Sequence, residues 1–579
     1  MRNKFSMALA CLLISIACFS QEHFKQIGPD SLYITQDTVL VKARDGALIS
    51  VIVARKKGVE ARQPTILFFT IYARPTDINV RCKDAVNHGY VGVVGYTRGK
   101  NLSPGEVIPY EHDGQDTYDV IDWITRQPWS NGKVGMYGGS YSGYTQWSAA
   151  KNMHPALKTI VPSASVAPGL DVPMTNNVVM SFVFPWTYYV ANNKMLDDKD
   201  YRDTIWRSTY FRWFAAGASY RTLDSVLGRK PNKIFRKWLD HPSYDAYWQR
   251  MIPYKQEFAK INIPVLTTTG YFDDGQVGAM YYFREHHKYK PNANHYLLIG
   301  PYGHFGCQGF PDSVYAGYRL DPVANISIHD RIFQWFDHIL KGAPKPAFLK
   351  DKINYEVMGA NEWKHAPSLK AMSNDTLRFY LSNRPIDTGY HLETKPPLKK
   401  GFVQQTVDFK DRNVINFYKW NFEVIWDSLT QINGIVYITE PLQNDITITG
   451  AFEGQIKASI NKKDFDFSVN LFEQMPDGRQ FCLSYFMGRA SYARDVSKRT
   501  LLTPGKIETI PFTNTYFTVK KLSKGSRIVA IVNVNKGPFE QINYGTGKDV
   551  SIETIKDAGE PLKVKWYNDS YISIPVWRN

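Results

Sequence analysis

The chain has 579 residues, 43% hydrophobic and 14% aromatic, enough to bury several cores, so two or three domains are expected. Its net charge of +16 is spread along the length without a basic helix or an aromatic RNA-binding motif, which excludes nucleic acid and leaves a generally basic surface able to attract acidic substrates. No Cys/His or His/carboxylate cluster stands at metal-ligand spacing and there is no Gly-rich phosphate loop, so neither metal nor cofactor is expected.

The first residues read as an export signal. Met1-Arg2-Asn3-Lys4 is basic, Ala8 to Phe19 is apolar, and Ser20 precedes a polar stretch from Gln21, which predicts a cleaved secretory signal over residues 1–20. The apolar run is too short to span a bilayer, and no integral membrane span is expected. Cys18 follows Ser15-Ile16-Ala17, with serine where a lipoprotein signal carries leucine, so soluble export to the periplasm or the medium is preferred over an anchor at Cys18. Loss of Arg2 and Lys4 lowers the charge to +14. Cys11 and Cys18 leave with the signal, and Cys82, Cys307 and Cys482 suggest no disulfide framework.

Leu32 to Ile52 alternates like hairpin strands. Thr65 to Thr70, which leads into Tyr72, and Tyr90 to Tyr96 read as central strands with intervening helices, the alternation of an α/β sheet. The strand-like run Gly132-Lys133-Val134-Gly135-Met136 then enters Tyr137-Gly138-Gly139-Ser140-Tyr141-Ser142-Gly143, which reads as a nucleophile elbow. A serine hydroxyl is a poor nucleophile unless a sharp strand-to-helix turn presents it to a histidine. Gly138 and Gly143 allow such a turn, and Tyr144 to Lys151 supplies a helix start whose dipole faces the serine. The spacing departs from G-x-S-x-G for both Ser140 and Ser142, so the residues alone leave two candidate serines.

A hydrolase elbow needs an acid and then a histidine further along. Between Met174 and Pro253 the chain turns aromatic-rich, which reads as a helical cap whose aromatics mostly form its own core. Ile263 to Gly270 is a β-branched strand running into Tyr271-Phe272-Asp273-Asp274-Gly275, where either aspartate can serve. Tyr296 to Gly300 is another buried strand, followed by Pro301-Tyr302-Gly303-His304-Phe305-Gly306. Among thirteen histidines His304 is the candidate, since His286 and His287 lie in a helix-like stretch and His154 precedes a proline. His329 to Leu340 has helical spacing and stops near Gly342, which closes the catalytic domain. Beyond Pro346 short alternating strands predict a β-sandwich.

Three segments, Gly138 to Trp147, Gly270-Tyr271-Phe272-Asp273 and Gly300-Pro301-Tyr302-Gly303-His304, resemble the signatures of the X-Pro dipeptidyl-peptidase family, which includes cocaine esterases, α-amino-acid ester hydrolases and glutaryl-cephalosporin acylases. The likeness extends through Pro109 to Asp116, Gln127 to Lys133, Glu440-Pro441-Leu442 and Pro476 to Arg479. It implies an α/β-hydrolase domain over residues 21–173 and 254–346, a helical cap over 174–253 and a C-terminal jelly-roll β-sandwich over 347–579. The family pattern G-x-S-Y-x-G implies Ser140 as nucleophile, with Asp273 and His304 completing a triad and Ser142 on a variable position. It also implies an oxyanion hole from the Tyr141 amide and the Tyr72 hydroxyl, although the usual Pro-Tyr-Asp is here Ile71-Tyr72-Ala73. Family members cleave X-Pro dipeptides from peptide N-termini, split α-amino-acid or benzoyl esters, or deacylate cephalosporins. The amino-acid ester hydrolases hold the substrate ammonium with carboxylates just after the catalytic acid, and Asp274-Gly275-Gln276 supplies only one such charge. The expectation is ester or amide hydrolysis of a small molecule or short peptide, with X-Pro dipeptidyl-peptidase activity as the specific candidate. Esterase or acylase action on small-molecule or polysaccharide acyl esters is the alternative. An exported binding protein with a silent hydrolase fold is the reading from another class, and the presence of all three triad residues speaks against it.

Overall fold

The computed structural model describes residues 27–416, 423–429 and 433–578; the expected signal at residues 1–20 lies outside them. The catalytic sheet uses β1 (Tyr33–Lys42), β2 (Leu48–Lys56), β3 (Gln63–Thr70), β4 (Val91–Tyr96), β5 (Ser130–Gly139), β6 (Leu157–Ser163), β7 (Val265–Phe272), β8 (His295–Gly303), β9 (Ile353–Val357) and β10 (Glu362–Ala366). Their order in space is β1-β2-β4-β3-β5-β6-β7-β8-β9-β10. From β4 to β9 every pairing is parallel, so β3, β5, β7 and β8 all end on one edge of the sheet. Tyr72, Ser140, Asp273 and His304 each follow one of those four ends. Parallel topology therefore gathers at one edge four residues spread over more than two hundred positions of sequence.

The main helices are α1 (Asp113–Thr125), α2 (Tyr141–Lys151), α3 (Val183–Ala191), α4 (Ile205–Ala216), α5 (Lys233–Leu239), α6 (Gln276–Tyr289) and α7 (Ile328–Lys341). Alternate strand residues sort onto opposite faces of the sheet. Leu67, Phe69, Leu297 and Ile299 share one core with Ile121 of α1, Trp147 of α2 and Met280 of α6. Ile66, Phe68 and Leu298 share the other with Ile332, Phe333 and Phe336 of α7. Covered on both sides, β4 and β7 are buried along their whole length. Helix α7 is capped by the Ser327 hydroxyl, which accepts from the Asp330 amide at 3.0 Å, and it stops at Gly342, whose φ of 76° is left-handed.

Helices α3, α4 and α5 lie between β6 and β7, and Trp206, Trp213, Phe214, Trp238 and Trp248 are buried among them. None of the described helices is long and apolar enough to cross a membrane.

Two strands beyond Pro346 join the catalytic sheet. Ile353, Asn354 and Tyr355 pair in parallel with Leu297, Leu298 and Ile299, and β10 then pairs antiparallel with β9. Without β9 the buried strand β8 would leave a row of backbone donors and acceptors unpaired. Short alternating strands carry no mark of which sheet they join. The antiparallel strands of the C-terminal β-sandwich follow from Asp375 onward. Its strands pair antiparallel except Gly389–Glu393 with Ile435–Ile438, and Asp466–Gln474 lies between Gln480–Arg489 and Arg527–Val534. Phe467 meets Phe512 at 6.4 Å and Phe465 meets Trp566 at 5.8 Å, which joins the two layers through aromatic edges.

Helix α2 approaches the strand beside it so closely that a Cβ on Gly143 would fall 2.8 Å from Ser165 Cα and 2.9 Å from the Ser163 carbonyl oxygen. Both are backbone atoms, so Gly143→Ala is expected to lower stability by about 1–3 kcal/mol in urea unfolding. An unchanged midpoint would show that the helix can shift at no cost.

Candidate active site

Ser140 sits between β5 and α2 with φ 58° and ψ −121°, a conformation that costs a non-glycine residue on the order of 1–3 kcal/mol. Backbone bonds hold it there. Its amide donates to the Ser163 carbonyl at 3.1 Å, and its carbonyl accepts from the Gly143 and Tyr144 amides, each at 3.0 Å. Gly138 before it has φ 141°, and a Cβ there would press on Ser142 Cβ at 2.7 Å and on the Phe68 ring at 2.8 Å. Ser142, the other candidate, is fully buried and donates its hydroxyl to Thr70 Oγ1 at 2.8 Å, so its role is to tie α2 to β3.

The Tyr72 hydroxyl lies 3.5 Å from Ser140 Oγ. Trp186 of α3 donates its indole N–H to the Tyr72 oxygen at 3.2 Å, and the Tyr141 amide faces the same oxygen. Burial raises the Tyr72 pKa, and these hydrogen bonds only partly oppose it, so the phenol keeps its proton at neutral pH. The Tyr141 side chain is pinned in turn: its hydroxyl donates to Asp113 Oδ2 at 2.6 Å and accepts from the Tyr110 amide at 2.9 Å. Asp113 also accepts from the Thr97 hydroxyl at 2.6 Å, and burial pushes its carboxyl up to about 6. The Pro109 to Asp116 segment thus fixes the residue whose amide opens α2.

Asp273 is fully buried and its oxygens are filled. Oδ1 accepts from His304 Nδ1 at 2.7 Å and from the Gly275 amide at 2.8 Å; Oδ2 accepts from the Thr269 hydroxyl at 2.6 Å. An ionised carboxylate can only accept, so His304 Nδ1 carries the proton, and Nε2 of the neutral imidazole keeps its lone pair. Asp274 is exposed, and its main-chain oxygen accepts from the Tyr516 hydroxyl at 3.3 Å. His286 and His154 have structural partners. His286 Nδ1 lies 3.2 Å from His295 Nδ1, with burial pushing His286 down to about 4, and His154 Nδ1 accepts from the Ala156 amide at 3.0 Å.

Two family models match this chain in sequence: X-Pro dipeptidyl-peptidase (S15 family) over residues 45–306, and the X-Pro dipeptidyl-peptidase C-terminal non-catalytic domain over 349–546. The chain belongs to the X-Pro dipeptidyl-peptidase family. It is an enzyme, a serine hydrolase. It is 25% identical to cocaine esterase of a Rhodococcus species over 563 residues, 91% of this chain and 95% of the relative. Its fold is that of an aminopeptidase from a Thaumarchaeota archaeon of marine sediment, with a TM-score of 0.80 at 22% identity over 95% of this chain and 98% of that one. An α-amino acid ester hydrolase superposes with a TM-score of 0.78, again at 22% identity over 95% and 98% of the two chains.

The family's C-terminal domain is called non-catalytic, yet here it holds the loop that carries Asp273. Gln276, fully buried at the start of α6, donates Nε2 to the Phe517 carbonyl at 2.9 Å and accepts from the Phe517 amide at 2.6 Å; Nε2 also donates to the Gly270 carbonyl at 2.8 Å. Sequence reasoning passed over Gln276 as a residue that weakened the carboxylate cluster, because its partner lies 241 positions away. Sequence spacing also showed no His/carboxylate cluster, whereas the fold brings Asp84, His88 and His329 together with ligand atoms within 4.8 Å of one another. Their bonds are those of a helix tie. His329 Nε2 is 2.8 Å from Asp84 Oδ2, and His88 Nδ1 donates to the Asp84 carbonyl at 2.9 Å.

Replacing Gln276 by leucine leaves the Phe517 amide and carbonyl buried and unpaired. This is expected to cost about 1–3 kcal/mol and to lower turnover, read from urea unfolding and initial rates on the same preparation.

Proposed function

We propose that the chain hydrolyses acyl esters through an acyl-enzyme formed on Ser140. The observation that carries this reading is a strained serine with a protonated tyrosine 3.5 Å away, on the same sheet edge as a histidine held at 2.7 Å by a buried aspartate. In the proposed reaction His304 Nε2 takes the Ser140 proton as Oγ attacks the acyl carbon. Asp273 keeps the imidazole in the correct tautomer and offsets its developing charge. The oxyanion is received by the Tyr141 amide at the start of α2 and by the Tyr72 hydroxyl. Collapse expels the alcohol, which takes the proton from His304, and a water molecule repeats the sequence to release the acid.

The name of the long-matching relative, cocaine esterase, supports an ester of a small molecule as substrate. A second reading, an α-amino acyl ester or a peptide N-terminus, is favoured by the exposed Asp274, whose charge bears on Tyr201, Tyr315 and His304 and could receive an ammonium group. We further propose export, on the basic-then-apolar residues 1–20.

Short p-nitrophenyl esters and Gly-Pro-p-nitroanilide compared on the purified mature chain, with Ser140→Ala as control, separate these readings. Ser140-dependent ester turnover is expected; preferential anilide cleavage would move the assignment to dipeptidyl-peptidase, and turnover that survives Ser140→Ala would remove Ser140 as nucleophile. Tyr72→Phe is expected to lower kcat on the order of a hundredfold.

Burial disfavours the His304 imidazolium, but the hydrogen bond and charge of Asp273, with Asp274 and Asp171 adding theirs, outweigh it and raise the pKa above the ordinary 6.5. The base form is the active one, so activity falls as pH drops through the raised value, and the acid limb of kcat/KM is expected above pH 6.5. In Asp273→Asn that limb should move down while kcat falls on the order of 10⁴-fold. A limb unmoved by the substitution would dissociate Asp273 from His304.

A further inference from the structure

Trp186 is a cap residue 46 positions beyond Ser140 and belongs to no motif of the sequence. Its ring is almost fully buried, stacked on Tyr110 at 6.1 Å with 10° between the planes and on Trp238 at 5.9 Å with 29°. That packing aims the indole N–H at the Tyr72 oxygen, 3.2 Å away.

A phenol oxygen has one proton to give and two lone pairs to accept with. An indole N–H only donates, so Trp186 always occupies one lone pair of Tyr72. The Tyr141 amide, also only a donor, faces the same oxygen. With the Trp186 donor on one lone pair, the Tyr72 proton has no acceptor in that direction, and Ser140 Oγ at 3.5 Å is the partner left to receive it. That is the side where negative charge would develop on an acyl oxygen.

We propose that Trp186 is a positioning residue that orients the Tyr72 hydroxyl proton toward the oxyanion. It acts through Tyr72 and contributes to the chemical step rather than to substrate affinity. A donor aimed in advance costs no reorganisation when the charge appears, and a phenol free to rotate would lose that advantage. The inference rests on the proposed oxyanion role of Tyr72.

The experiment is a double-mutant cycle on p-nitrophenyl acetate with Trp186→Phe, Tyr72→Phe and the double variant. Trp186→Phe keeps an aromatic ring in the stack and removes the N–H. It is expected to lower kcat about three- to tenfold, the size of one hydrogen bond, with KM within about twofold of wild type. In the Tyr72→Phe background the same change is expected to alter kcat less than about twofold. An equal loss in both backgrounds would mean that Trp186 acts through packing, and no loss in either would show that the N–H is idle; both outcomes overturn the proposal. Wild-type kinetics in Tyr72→Phe alone would overturn the oxyanion role of Tyr72 itself. Benzothienylalanine introduced at position 186 matches the indole shape without the N–H, and it gives the same test if phenylalanine disturbs folding.

Discussion

Asp273 carries its carboxylate where no water reaches it, and an ionised group so placed survives only if every oxygen has a donor. Three donors meet that need: the Thr269 hydroxyl from within β7, the Gly275 amide from the loop and His304 from the end of β8. A second buried carboxyl, Asp171, stands close by. Burial raises its pKa well above the usual range and the Asp273 charge adds to this, while amide donors from Ala167 and Gly278 oppose it. Two carboxyls buried this close compete for charge, and His304 bonds to Asp273, which makes Asp273 the one of the pair that orients the imidazole.

The strain at Ser140 belongs to the same design. A left-handed serine persists only where its surroundings over-determine it, and here the sheet, the start of α2 and the strand beside it all bond to its backbone. The aromatic network around Tyr72, Tyr110, Tyr141 and Trp186 then fixes the hydroxyl and the amide that face the serine. Cap, elbow and the end of β3 are packed as a unit, so the donors are placed before any substrate arrives.

Much of this was legible in the sequence because it is local. The glycines around Ser140, the β-branched run into Asp273 and the Gly-Pro-Tyr-Gly-His stretch at the end of β8 are each written within ten residues, and the α/β class follows from strands that alternate with helices. What escaped the sequence is non-local. Strands β9 and β10 read like the sandwich strands that follow them, and only the open edge of β8 decides where they go. Gln276 with Phe517, Trp186 with Tyr72, and His329 with Asp84 pair across 241, 114 and 245 positions, with no periodicity to join them. In each pair one partner is a polar group whose need for a bond becomes evident only once it is buried.

The bond between Gln276 and Phe517 also bears on the order in which the molecule comes into being. A ribosome delivers Gln276 long before Phe517, and at roughly 5–20 residues per second the 241 intervening positions take about 10–50 s to emerge. Through that interval the first half of the chain can form its sheet and its elbow, but the loop bearing Asp273 lacks its anchor. The loop bearing Asp273 therefore gains its Phe517 anchor only after the second half of the chain has emerged, and a chain truncated before Phe517 carries Ser140 without it.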